Sequence, residues 1–97
     1  MRPIFKSTGI YVGFILNGAL FSRDGDYLGW LEGNYVWDAK SGRFRGQVWN
    51  DKYITVDQFA VQPLPKQTKA KPATPPLPHP PPNISPVALP TGWIDSF

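Results

Sequence analysis

Four tryptophans in 97 residues, Trp30, Trp37, Trp49 and Trp93, are the side chains best suited to act on another molecule. An indole face stacks on a sugar or a base and attracts a cation. Exposed together, these residues would make a platform for a small, carbohydrate-like ligand. Trp30, Trp37 and Trp93 recur at equivalent places in a repeat, as packing residues do. Trp49 lies beside a turn and outside that pattern, so it divides evenly between packing and surface contact.

The carboxylates Asp24, Asp26, Glu32, Asp38 and Asp95 raise acid–base chemistry, and glycoside hydrolysis requires two acids facing one cleft. Most stand at or beside turns, where a short acidic side chain bonds its own backbone, and a structural role is expected. The only histidine, His79, is set in "LPHPPP" with no partner to orient it as a base. There is no cysteine, so neither a thiolate nucleophile nor a disulfide is available, and a lone histidine does not make a zinc site. "RDGD" lacks the further oxygen ligands of a calcium loop, and no nucleophile elbow or phosphate-cradling loop is present. No catalytic residue, metal or cofactor is therefore expected. "NIS" at 83–85 is a formal glycosylation sequon that lacks an export signal to give it meaning.

One segment has a composition suited to recognition. Residues 63–90, "PLPKQTKAKPATPPLPHPPPNISPVALP", hold most of the 12 prolines. Prolines at this density block helix and ladder hydrogen bonds, so an extended polyproline-II or disordered tether is expected. Within it Lys69, Pro72 and Pro75 form Lys-x-x-Pro-x-x-Pro, similar to the basic-flanked ligands of Src-homology-type domains. A plain linker is the simpler reading, and a tail recognised by a partner protein the alternative.

Charge argues against one class of partner. The net +3 comes from Lys66, Lys69 and Lys71; elsewhere seven basic and seven acidic residues cancel. The basic balance is thus weak evidence for a nucleic-acid footprint on the remainder of the chain, and a nucleic-acid partner is not expected. The apolar N-terminal stretch is broken by glycines and Asn17, which argues against a signal peptide or a membrane span, and a cytoplasmic protein is expected.

The elements that position these residues follow from self-comparison. "GIYVGFILNGALFSRDG" (9–25), "GDYLGWLEGNYVWDAKSG" (25–42) and "GRFRGQVWNDKYITVD" (42–57) each open with Gly-x-aromatic-x-Gly, and Gly9, Gly25 and Gly42 recur at intervals of 16 and 17 residues. Asn17-Gly18 and Gly33-Asn34 are two-residue pairs between apolar runs, the signature of a type I′ β-hairpin turn. They set Ile15 opposite Leu20, Phe14 opposite Phe21, Leu31 opposite Val36 and Trp30 opposite Trp37. The third copy allows two registers, Val48 opposite Tyr53 or Val48 opposite Ile54. The second, with a three-residue turn, restores the aliphatic pair, although Lys52 suits the left-handed position of such a turn poorly.

"TGWIDSF" (91–97) matches a first strand and "IFKSTGI" (4–10) a second, so a fourth unit is split between the termini. Pairing them would face Trp93 with Phe5 and Ile94 with Ile4 and close a ring, hiding its edge strands. The expected core is two aliphatic layers, Ile15, Leu31, Val48 and Ile94 with Leu20, Val36, Ile54 and Ile4, backed by aromatics packed between hairpins.

This repeat resembles the four-fold β-flower domain, a small bacterial family in which four hairpins surround a pseudo-four-fold axis. The resemblance covers about 70 residues outside the proline-rich segment. It implies the ring architecture and brings no activity or catalytic residue set. The units are also similar to MORN repeats, whose longer period does not fit. The expectation is an all-β domain, residues 1–62 plus 91–97, of four pseudo-symmetric hairpins closed by the N- and C-terminal strands, with residues 63–90 as a Pro-rich insertion. Its expected role is a non-enzymatic binding or scaffolding module, for a protein partner or a second copy of itself in a homodimer. Trp30, Trp37, Trp49, Trp93, Lys69, Pro72 and Pro75 are its candidate contact residues.

Overall fold

A computed structural model describes residues 1–97. Eight strands follow one another along the chain: β1 (Arg2–Phe5), β2 (Tyr11–Leu16), β3 (Ala19–Ser22), β4 (Tyr27–Glu32), β5 (Tyr35–Asp38), β6 (Phe44–Trp49), β7 (Tyr53–Asp57) and β8 (Trp93–Asp95). There is no helix, and no segment that could cross a membrane as one. Each strand pairs with the next, and a further contact between β1 and β7 closes the first seven into a ring that β8 joins from outside. The molecule is a disc, 37 × 35 × 18 Å.

Turn chemistry sets the hairpin registers. Asn17 and Gly18 both have positive φ, 51° and 74°, and the loop pairs Ile15 with Leu20 and Phe14 with Phe21. In the second hairpin only Gly33 of the two turn residues has positive φ, the pattern of a type II′ rather than a I′ turn. The register is unchanged because the loop is still two residues long, and Trp30 faces Trp37. In the third, Val48 faces Ile54 across a three-residue loop. The left-handed positions there are Asn50 and Asp51, which tolerate them, and not Lys52.

The junctions between hairpins also repeat. The Leu31 N–H donates to the Gly18 carbonyl and the Val48 N–H to the Asn34 carbonyl, both at 2.8 Å. Ladder register slips at Ile4/Phe5, Leu20/Phe21 and Val36/Trp37, the same place in each unit. The second glycine of each opening lies at this slip. At Gly29 an added Cβ would come within 2.0 Å of the Trp37 carbonyl oxygen, so the strands approach too closely for a side chain.

The closure differs from the expected one. The repeat would have the Lys52 carbonyl accept from Ile94, but Phe5 donates to it at 2.7 Å, and Phe5 bridges Tyr53 in parallel. With that end of β7 taken, β8 pairs further along, Ile94 opposite Val56 and Trp93 opposite Asp57. Trp93 therefore does not face Phe5, Ile94 does not face Ile4, and no fourth hairpin forms. The physical reason is that the two halves share no turn: a hairpin loop fixes register, and chain termini have none.

The tail seals the ring by other means. Asp95 accepts from the backbone N–H and the hydroxyl of Ser7, the Ser96 N–H donates to the Ile54 carbonyl, and the Ser96 hydroxyl donates to the Arg45 carbonyl. Ile4, Ile15, Leu20, Val36 and Ile54 form the buried centre, with Leu31 and Val48 half-buried against it. Ile94, expected in this layer, is 45% exposed. Phe97 packs on the core instead, its ring 4.1 Å beneath the Arg45 guanidinium.

Candidate functional site

The sequence-derived contact residues do not form an open aromatic platform. Trp30 and Trp37 are 4% and 3% exposed. Trp37 packs edge-on against Phe44, and Trp30 stands opposite Ala19 of the preceding hairpin. Trp49 is half-buried between Tyr53 and Trp93, with ring centroids 5.6 and 6.4 Å away. Trp30 and Trp37 thus present no open stacking face, while Trp49 and Trp93 remain half-exposed beside each other.

What covers the second hairpin is the proline-rich segment. Residues 61–90 contain no helix or strand, yet they do not hang free as a tether would. Between 61 and 88 the half-buried residues are Pro63, Pro72, Pro75, Pro78, Pro81 and Ile84, all on one series of period three. Lys66 and Lys69 complete that series. A polyproline-II chain has three residues per turn and leaves its backbone unbonded, so every third side chain faces one way. The segment is a strap with one side laid against the ring.

Backbone bonds pin it where proline does not intervene. The Lys66 N–H donates to the Gly42 carbonyl at 2.8 Å, Ile84 to Gly9 at 3.0 Å and Val87 to Ser7 at 2.8 Å, while the Asn83 side-chain oxygen accepts from Tyr11 N–H at 3.2 Å. Thr74 and Leu77 lie over Gly25. The strap passes the three repeat openings in reverse order, Gly42, Gly25 and Gly9. Lys66 and Ile84 are separated by six polyproline turns, roughly 56 Å of chain, over two repeats. The two outer contacts, at Gly42 and Gly9, thus fall on one side of the strap, while Gly25 meets Thr74 and Leu77 of a neighbouring side. At Gly42 the approach is so close that an added Cβ would fall 1.9 Å from the Lys66 carbonyl oxygen.

Contacts along the strap differ in chemistry. Trp30 and Glu32 alternate on β4 and so share a face with Trp37, opposite the face of Leu31 and Val36. The Lys66 ammonium lies 4.8 Å from the Trp37 ring centroid and that of Lys69 5.6 Å from Trp30. Both pair with Glu32, Lys69 at 3.3 Å. Hydrogen bonds from Lys66 and Lys69 hold the Glu32 carboxyl below its usual range. At the first hairpin the strap is apolar: Pro72 and Pro75 line a shallow cleft together with Leu16, Ala19 and Phe21. Lys69, Pro72 and Pro75 are thus engaged, but by the chain's own ring.

Of the other carboxylates, Asp38 and Asp95 hold structure, whereas at Asp24 and Asp26 it is the backbone N–H that bonds, to the Ser22 hydroxyl. Burial would raise the Asp38 pKa, but bonds from Ser41, Arg45 and Lys40 outweigh it and hold the group low. His79 is exposed. Sequence reasoning missed Glu32 and Lys66 as contact residues. The signal was present in the three-residue spacing of Pro63, Lys66, Lys69, Pro72, Pro75, Pro78, Pro81 and Ile84.

A family model described as "4-fold beta flower protein" matches residues 2–95. No curated protein and no solved structure matches the chain.

Proposed function

The chain belongs to the 4-fold beta flower family, and we propose that its ring is a non-enzymatic binding module for extended, proline-rich chain, which in this molecule holds its own residues 63–84. The observation that carries this reading is the period-three burial of the strap, unbroken from Pro72 to Ile84 and preceded on the same series by Lys66 and Lys69, which are exposed but reach Trp37, Trp30 and Glu32. A flat ring of hairpins offers grooves between aromatic rows, and a polyproline-II segment loses little conformational entropy on entering them because it is already extended.

The centre of the disc favours binding over catalysis. It is filled by the aliphatic side chains of Ile4, Ile15, Leu20, Val36 and Ile54. Of the clefts at the rim, those that contain a carboxylate have one each, Asp57 or Asp26, where paired acid–base chemistry needs two.

Limited digestion with trypsin tests the reading, because Lys66 and Lys69 are followed by residues that permit cleavage. A held strap is expected to be cut at least about tenfold more slowly than a free peptide of residues 61–90, since cleavage must wait for local release. Equal rates would overturn the proposal.

A further inference from the structure

The strap shows which ligands the ring can distinguish. On the second hairpin Trp30, Glu32 and Trp37 present indole, carboxylate and indole on one face, and two lysines one polyproline turn apart meet all three. The equivalents of Glu32 in the first and third hairpins are Leu16 and Trp49, so neither other unit can pair with a cation in this way. Leu16 accordingly lines an apolar cleft with Pro72 and Pro75. The ring outside the strap carries no net charge, and the strap carries +3, so Glu32 is a local acidic point matched to a basic ligand.

The strap is not a perfect occupant. The indole N–H groups of Trp30 and Trp37 are buried and have no acceptor. Buried donors of this kind normally find a partner, and an extended chain offers unbonded carbonyls.

We propose that the Trp30–Glu32–Trp37 face, with the adjoining Leu16–Phe21 cleft, is a recognition site for Lys-x-x-Lys-x-x-Pro-x-x-Pro in polyproline-II form, and that it takes such a segment from a partner protein in exchange for its own residues 66–75. The strap is then a resident competitor. This rests on the binding-module reading and adds the ligand's chemical class and its source.

The probe is a fluorescent synthetic peptide of residues 64–78, titrated by anisotropy into the full-length chain and into a full-length K66A/K69A variant. Both lysines are exposed, so the variant should keep the ring, which one-dimensional proton spectra would verify. Removing the competitor's two charges raises the fraction of open sites, and apparent affinity rises in proportion. The expected result is peptide binding about tenfold tighter to K66A/K69A than to the unmodified chain, lost when Glu32→Lys is added or when Lys66 and Lys69 of the peptide are alanine. Equal affinity for both chains, or a gain that survives Glu32→Lys, would overturn the proposal. A dimer of the unmodified chain in light scattering would assign the site to a second copy and likewise overturn the partner assignment. Trypsin resistance of the strap together with no peptide binding would end this inference and leave the binding-module reading standing, whereas rapid cleavage would end both.

Discussion

Ser7 and Asp95, 88 residues apart, are joined by two hydrogen bonds, from the Ser7 N–H at 2.8 Å and from its hydroxyl at 2.6 Å. This pair ties the last strand to the loop after the first one, where β1 and β7 part company beyond their single bridge. Asp95→Ala removes the acceptor from both donors in a part-buried setting. Hydrogen bonds to a charged group contribute about 1.5–3 kcal/mol, so a loss of about 2 kcal/mol is expected in urea unfolding. Ser7→Ala, which keeps the backbone bond, should cost less.

Phe97 packs on the core, where the repeat would have set Ile94. Phe97→Ala should destabilise by about 2 kcal/mol, less than a fully buried phenylalanine because the ring is only half-buried. Ile94→Ala, on a side chain 45% exposed, should cost well under about 1 kcal/mol. Thermal or urea unfolding of the pair gives the order; the reverse order would restore Ile94 to the core.

The hairpins were legible because their determinants are local. Asn17-Gly18 and Gly33 fix the turns, a two-residue loop fixes register, and register sorts Ile15, Leu20, Leu31 and Val36 to one face. The closure was not legible because it depends on a competition: Phe5 and Ile94 are both candidates for the Lys52 carbonyl, and no short-range feature decides between them. The attachment of the strap to the ring was not legible for a different reason. The strap's prolines rule out regular hydrogen bonding, which looks like freedom, while Lys66, Ile84 and Val87 supply the few N–H groups that bind it. Lys69, Pro72 and Pro75 were recognisable as a ligand motif, but the groove for it lies within the same chain and is assembled from residues far away in sequence.

Gly42 and Gly33 separate two effects of a glycine. Both have positive φ, 70° and 60°, so Ala at either strains the backbone, by about 1 kcal/mol. Nothing lies within 4 Å of a Cβ at Gly33, but at Gly42 it would strike the strap backbone. Gly42→Ala is therefore expected to speed trypsin cleavage at Lys66 and Lys69 several-fold at a temperature where both variants are folded, and Gly33→Ala to leave it near the unmodified rate.

Acid should loosen the strap at its charged end first. Glu32 holds Lys66 and Lys69 only when ionised, and its folded pKa lies below the ordinary value of 4.5. Its contribution is then complete above about 4.5 and is lost as pH falls through the depressed folded value. The indole N–H resonances of Trp30 and Trp37 should shift over that acid range, and Glu32→Gln should abolish the shift. Asp38 titrates low as well, so a transition that survives Glu32→Gln would belong to the Asp38–Arg45 loop and not to the strap.

Polyproline periodicity makes a position-specific claim. Pro75 faces the ring and Pro76 faces solvent. Pro75→Asp should release the strap, seen as faster trypsin cleavage, while Pro76→Asp, with the same charge one residue on, should not.

Hydrogen exchange of the strap amides bears most directly on the claim that this segment is bound to the ring. Lys66, Ile84 and Val87 donate to Gly42, Gly9 and Ser7, and their amides should exchange well below the rate of an unstructured chain, while Gln67, Ser85 and Ala88 exchange freely. If all six exchange at the unstructured rate, residues 63–84 are a tether and the ring binds nothing of its own.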